Sequence, residues 1–238
     1  LCKDCEETFS KVERAFALNI FYPYQNDTLG NQDFQYGEWL YPFIVSVNWR
    51  ILYLDLAEFR KSQSLNETSL KILSDAEESM RNFLLGNIQN VLPIENHLFL
   101  FPEISIASPE IAKQNPNVFF RTSAYGYILI NTGFNSFYVY SNLAGILLVT
   151  IIKKAQGEVW NNTIVDPSGG IIKIPRNVRS PLINDVLEYC KEQKNWPQIS
   201  DQQKQKIIDK IKENINKFEN SRFYKFFMAD ENLKKSSR

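Results

Sequence analysis

The sequence predicts an α+β protein, with helices first, an antiparallel sheet in the middle and helices again at the end. Three observations carry this reading. Apolar residues recur at helical spacing up to about Gly86. From about Asn96 to Pro175 they give way to short runs rich in β-branched and aromatic residues, punctuated by Pro, Gly and Asn. Beyond Pro175 the helical period returns. The strand-like runs follow one another too closely for helical crossovers, which favours an antiparallel meander.

Asp4 followed three residues later by Glu7 is a capping-box pattern. Phe9, Val12, Phe16 and Ile20 share one face of the helix that it opens. "YPYQNDTLGNQ" reads as a loop from its Pro, Asn, Asp and Gly content. A second helix is expected to start near Pro42, with Phe43, Ile44, Val47, Ile51 and Leu54 as its apolar stripe. Thr68 or Ser69 opens a third, with Leu70, Leu73, Met80, Phe83 and Leu84 inward and Gly86 as its stop.

Five segments read as strands: "HLFLF", "VFFRTSAYGYILIN", "SFYVYSN", "GILLVTIIK" and "IIKIP". "DPSGG" before the last is a turn, because Pro presets one φ and glycine tolerates a positive one. Ser180-Pro181 then opens a helix carrying Leu182, Ile183, Val186, Leu187 and Cys190. Ser200 and Gln203 form a second capping-box pattern. In the Lys-rich helix that follows, Ile207, Ile208, Ile211, Ile215 and Phe218 are expected to face inward, and "ADENLKKSSR" to fray. The expected organisation is a metal-knuckle helix over 1–22, a helical and β-meander core over 23–175, and a C-terminal helical segment over 176–238.

The chain has 238 residues, of which 44% are hydrophobic and 13% aromatic, enough for a sizeable core. Its longest apolar run, "LAGILLVTII", is about half a bilayer span, so no membrane association is expected. Lys+Arg and Asp+Glu number 27 each, but unevenly placed. Residues 1–120 carry 16 acidic and 9 basic groups, whereas 191–238 carry 7 and 12. The basic end makes nucleic acid a second class of partner beside protein. Three cysteines, an odd number, argue against a disulfide scaffold and for a reducing, cytoplasmic setting. Asn26, Asn66 and Asn161 head sequons that carry no meaning in such a setting.

The chemistry-bearing feature is Cys2 and Cys5 at the front of the first helix. Two thiolates at that spacing can reach one ion across a tight turn, and a helix N-terminus favours the thiolate form. Structural zinc takes four ligands. Cys190 sits in an apolar helical stripe and reads as packing. His97, the one histidine, sits in a strand and reads as structural, with ligand or general base as its alternative role. The pair is therefore expected to be half of a zinc site whose other half preceded Leu1 or has been lost.

"LCKDCE" resembles the second knuckle of treble-clef zinc fingers, and of the HNH-type nucleases among them, over about the first sixteen residues. The resemblance implies a structural zinc that pins the helix to a preceding hairpin. Glu6 stands where many of those nucleases carry a metal-binding His. Catalytic histidines of that family would have to lie before Leu1. The resemblance thus supports a zinc-stapled helix better than cleavage of DNA.

No glycine-rich phosphate loop or nucleophile elbow is present. Asp185, Glu192 and Lys194 have the spacing of a restriction-type nuclease but fall on an expected helix, and Asp166 with Lys173 lacks the middle acid. Glu103 and Glu110 single out no pair. The rings of "AYGY" and "FYVY" could stack bases, although alternation along a strand more often packs one ring inward. "YGEWLYP" reads as core or as a partner-binding patch. The resulting expectation is a zinc-stapled binding or assembly module, the partner subunit of a bacterial effector or defence complex. Its alternative is an HNH-like metal-dependent endonuclease whose catalytic half precedes Leu1.

Overall fold

The computed structural model describes residues 3–26, 29, 32–192 and 200–237. It has N-terminal helices, a central four-stranded antiparallel sheet and C-terminal helices. The chain forms two compact units, Leu1–Leu100 with Ala124–Leu182, and Phe101–Ser123 with Ile183–Arg238.

The first unit opens with α1 (Lys3–Phe16), a π-helical turn (Ala17–Phe21) and α2 (Tyr22–Gln25). Phe9, Phe16 and Ile20 are buried, as their spacing implies. Asp4 lies within α1 rather than ahead of it. The expected loop is also shorter. Tyr22–Gln25 is helical because Pro23 is tolerated in a first turn. There the Tyr24 hydroxyl donates to the Gly145 carbonyl at 2.9 Å, a tertiary bond that no local pattern encodes.

After β1 (Phe34–Tyr36) come α3 (Leu40–Ser62) and α4 (Glu67–Leu84). The cap of α4 is Asn66, one of the sequon asparagines, whose side chain accepts from the Ser69 N–H at 2.8 Å. Gly86, at a positive φ of 77°, ends the helix as expected. In α3 the apolar stripe is broader than expected. Val45, Leu52 and Leu56 are buried with Phe43 and Ile44, whereas Leu54 is 66% exposed. A helix with neighbours on more than one side buries a wide arc, so a single stripe misplaces its edge.

The sheet consists of β2 (Glu95–Leu100), β3 (Ala124–Asn131), β4 (Ser136–Leu143) and β5 (Ile146–Lys153), in the order β2-β5-β4-β3. β3, β4 and β5 form a meander, and β2 joins the outer edge of β5. The expected strand "VFFRTSAYGYILIN" is split, its first part being helical. The last expected strand does not join this sheet. β7 (Gly170–Ile172) pairs with β1, while the remaining short strands, β6 (Val159–Asn161) and β8 (Asn177–Arg179), pair with each other. The Asp166–Gly169 turn before β7 closes with a Gly169 N–H to Asp166 C=O bond of 3.1 Å. Gly169, at φ +84°, leaves a Cβ only 2.8 Å from the Tyr36 carbonyl oxygen, so this position demands glycine.

Alternation divides the sheet into two faces. Leu98, Leu100, Phe137, Val139, Ile146 and Leu148 join residues of α1, α3 and α4 in one core. A buried polar relay crosses that core. Asn48 on α3 donates from Nδ2 to Thr150 Oγ1 at 2.8 Å, and its Oδ1 accepts from Ser141 Oγ at 3.1 Å. Thr150 in turn donates to Asn96 Oδ1 at 2.7 Å. At Gly126 the Ile51 side chain of α3 fills the space of a Cβ, which would sit 2.2 Å from Ile51 Cδ1.

In the second unit α5 (Pro109–Ala112) and α6 (Pro116–Thr122) precede α7 (Pro181–Glu192), α8 (Asp201–Glu213), α9 (Ile215–Glu219) and α10 (Arg222–Ser236). The tail expected to fray is helical and anchored. Asp230, fully buried, accepts from the N–H groups of Asn117 and Val118, both at 2.9 Å, and from Asn117 Nδ2 at 3.0 Å. Phe101 and Phe120 stack with centroids 4.8 Å apart.

Asn48→Ala would leave the Thr150 and Ser141 hydroxyls without their buried partner. It is expected to cost about 2 kcal/mol, read as a lower urea midpoint at unchanged slope. Gly126→Ala is expected to destabilise by roughly 1–3 kcal/mol through the clash with Ile51, and an Ile51→Val background should recover part of that loss.

Candidate functional site

Among the described residues, those singled out from the sequence do not form one cluster. Cys2 lies outside the described residues, and Cys5 falls in the first turn of α1; the metal assignment of this pair therefore rests on sequence. Cys190 is buried in α7, its thiol pushed up to about 12 by burial, so it is an inert packing group. Asp185 and Glu192 lie on α7, as expected, and Lys194 is outside the described residues. Glu103 and Glu110 are exposed. Asp166 caps its own turn through the Ser168 N–H and hydroxyl. Among the described residues no three His, Cys, Asp or Glu side chains are placed to hold a metal ion.

His97 is placed by β2, whose backbone is bonded on its outer side to residues 163–165 as well as to β5. Its side chain is 2% exposed. Nδ1 lies 3.0 Å from Thr163 Oγ1 and Nε2 3.2 Å from Glu95 Oε2. In the neutral ring Nε2–H donates to Glu95, and Nδ1 accepts from the Thr163 hydroxyl when that hydroxyl turns to it from the Trp160 carbonyl, its other acceptor at 3.3 Å. Burial pushes the imidazole down to about 4, against the opposing pull of Glu95. Burial alone would raise the Glu95 carboxyl, but bonds from Lys154, at 2.9 Å, and His97 hold it below its ordinary value. Both ring nitrogens are engaged and the group stays neutral at physiological pH, so it is poorly placed to act as a base.

Beside it the Trp160 ring lies 5.0 Å from the imidazole. Glu158 forms the hub of this second cluster. Its carboxylate accepts from Tyr138 Oη at 3.0 Å, the Ala155 N–H at 2.9 Å, Trp160 Nε1 at 2.6 Å and Ser180 Oγ. Four donors saturate the two oxygens. The Tyr138 hydroxyl is pushed up to about 12, by burial first and then by the Glu158 charge. The Tyr125, Tyr127 and Tyr140 rings of the candidate base-stacking strands pack on one another, with centroids 5.9–6.3 Å apart. These groups build structure rather than present reactive atoms.

The surface that departs most from expectation is α8. Its capping box is present as predicted, with the Ser200 and Gln203 side chains bonded reciprocally. Its isoleucines, however, do not face inward. Ile207 is 49% and Ile208 44% exposed, and no residue of α8 is buried. At about 100° per residue, Lys210 and Lys212 fall on either side of the Ile207-Ile208-Ile211 stripe, whereas Asp209 and Glu213 fall opposite it. The period was legible in the sequence; that no described residue buries this stripe was not.

With this geometry in view, comparison with protein-family models, curated proteins and solved structures found no match. No helix among the described residues is long and apolar enough to cross a membrane.

The buried neutral His97 makes stability depend on pH. In the unfolded chain the imidazole titrates near 6.5, so as pH falls the unfolded state binds a proton that the native state refuses until about pH 4. Native stability should drop by up to about 3 kcal/mol across that window. His97→Gln is expected to flatten the slope between pH 6.5 and 4.5, measured by urea unfolding at stepped pH. Below that, protonation of Glu95 adds its own loss.

Proposed function

We propose that this chain is a binding and assembly module, the partner subunit of a larger complex. It docks a protein through the lysine-rimmed isoleucine stripe of α8, and a zinc ion held in part by Cys2 and Cys5 staples the front of α1. The observation that carries this reading is a 13-residue helix with no buried residue and two exposed isoleucines. An isolated helix of that length is marginal in water, and covering its apolar stripe supplies the missing stabilisation.

The arrangement favours a protein over nucleic acid. Phosphates would engage the lysines but leave the isoleucines uncovered, whereas an acidic apolar groove meets both.

Affinity purification of the full chain from its source cells should retain a protein partner at moderate salt. The double substitution Ile207→Glu, Ile211→Glu should abolish that retention while leaving thermal stability within about 0.5 kcal/mol, because neither side chain is buried. Equal recovery of the same partner by the double variant would overturn the docking surface. Retention of nucleic acid that falls steeply with salt would point to phosphate binding instead. Metal analysis should return one zinc per intact chain, reduced by Cys2→Ser; a value near zero would remove the staple.

A further inference from the structure

A cavity of about 460 Å³ lies on the two-stranded ribbon of β1 and β7 in the first unit. Gln35 and Ile171 stand opposite each other in the ribbon's register, so their side chains share one face. Gly37 and Trp39 follow where the chain leaves β1 for α3, and Asn19 of the π-helical turn completes the lining. The volume falls in the range of small-molecule pockets.

Trp39 supplies a donor. Its ring packs against the core, yet its Nε1–H has no described acceptor and is not buried. Gly37 shows where that edge lies, because a Cβ there would sit 3.1 Å from both Cδ1 and Nε1 of the indole. The pyrrole edge therefore rests on the bare backbone of a residue that itself lines the cavity. A tryptophan N–H can only donate. Gln35 is exposed and its amide is bonded to no described residue, so it can donate or accept. Asn19 spends its Nδ2 on the Ala15 carbonyl at 2.8 Å, which leaves Oδ1 as the acceptor it can present.

No charged residue lines the cavity, so a phosphate, carboxylate or ammonium group would find no counter-charge there. The cavity is also wide-mouthed, and an apolar ligand would leave much of its surface in water. A hydroxylated ring keeps its outer hydrogen bonds to water and turns the others inward. One hydroxyl oxygen can accept from Trp39 or Gln35 and donate its proton to Asn19, which matches a lining of one fixed donor, one acceptor and one amide of either kind. We propose that this cavity binds an uncharged sugar ring, a pyranose. Its hydroxyls pair with Trp39 Nε1–H, the Gln35 amide and Asn19 Oδ1, and its C–H flank lies on Ile171. This site is separate from α8 and does not depend on the docking reading.

The test is titration of the full chain followed by NMR, with glucose, galactose, N-acetylglucosamine, glucuronate and cyclohexanol as probes. At least one of the three neutral sugars should bind with a dissociation constant on the order of millimolar, as its size allows, and move the Trp39 Nε1–H signal. Cyclohexanol, a ring of similar size with a single hydroxyl, should bind about tenfold more weakly than that sugar. Glucuronate should bind no more tightly than glucose. Gln35→Ala, at an exposed strand position, and Trp39→Phe should each weaken the sugar by about fivefold; Gln35→Ala decides the matter should Trp39→Phe lose its fold. A Trp39 signal unmoved by all three sugars at about 50 mM, cyclohexanol equal to the best sugar, tighter binding of glucuronate than of glucose, or an unchanged affinity in Gln35→Ala would each overturn the assignment.

Discussion

Asn48 ties the helical layer to the sheet, and the rest of the first unit follows from the need to keep its amide paired. A primary amide in an apolar core is tolerated only when its donor and acceptor both find partners. Here the partners come from β4 and β5, and Thr150 passes the connection on to Asn96 in β2. Three strands and one helix are thereby held in a single register. A slip of one residue in any of these strands would turn the paired side chain to the other face of the sheet. Apolar contacts alone would not penalise such a slip so sharply, because they lack direction.

The same rule explains why the ionisable groups on the sheet are inert. His97 and Glu158 resemble catalytic residues in type, but every nitrogen of the first and both oxygens of the second are engaged by neighbours. A buried polar group made safe in this way has no atom left for substrate.

Burial also separates the two ends of the chain. α1 and α8 are both short amphipathic helices with charged outer faces, yet Phe16 of α1 joins the core and Phe9 is buried with the Arg50 guanidinium over its ring, whereas Ile207 and Ile208 of α8 are exposed. Among the described residues nothing buries that stripe, which Lys210 and Lys212 flank.

The sequence by itself determined the coarse order of helices, antiparallel sheet and helices, the cap at Ser200 and the stop at Gly86, because propensity, capping and turn chemistry act over a few residues. It could not show that β7 pairs with β1, that residues 118–122 are helical or that residues 229–236 are anchored through Asp230. Each of those depends on partners far away in the chain. Periodicity marks which face of a helix is apolar, but not whether anything lies against that face. Ile207 and Phe9 obey the same spacing, and only the tertiary structure covers one and leaves the other bare.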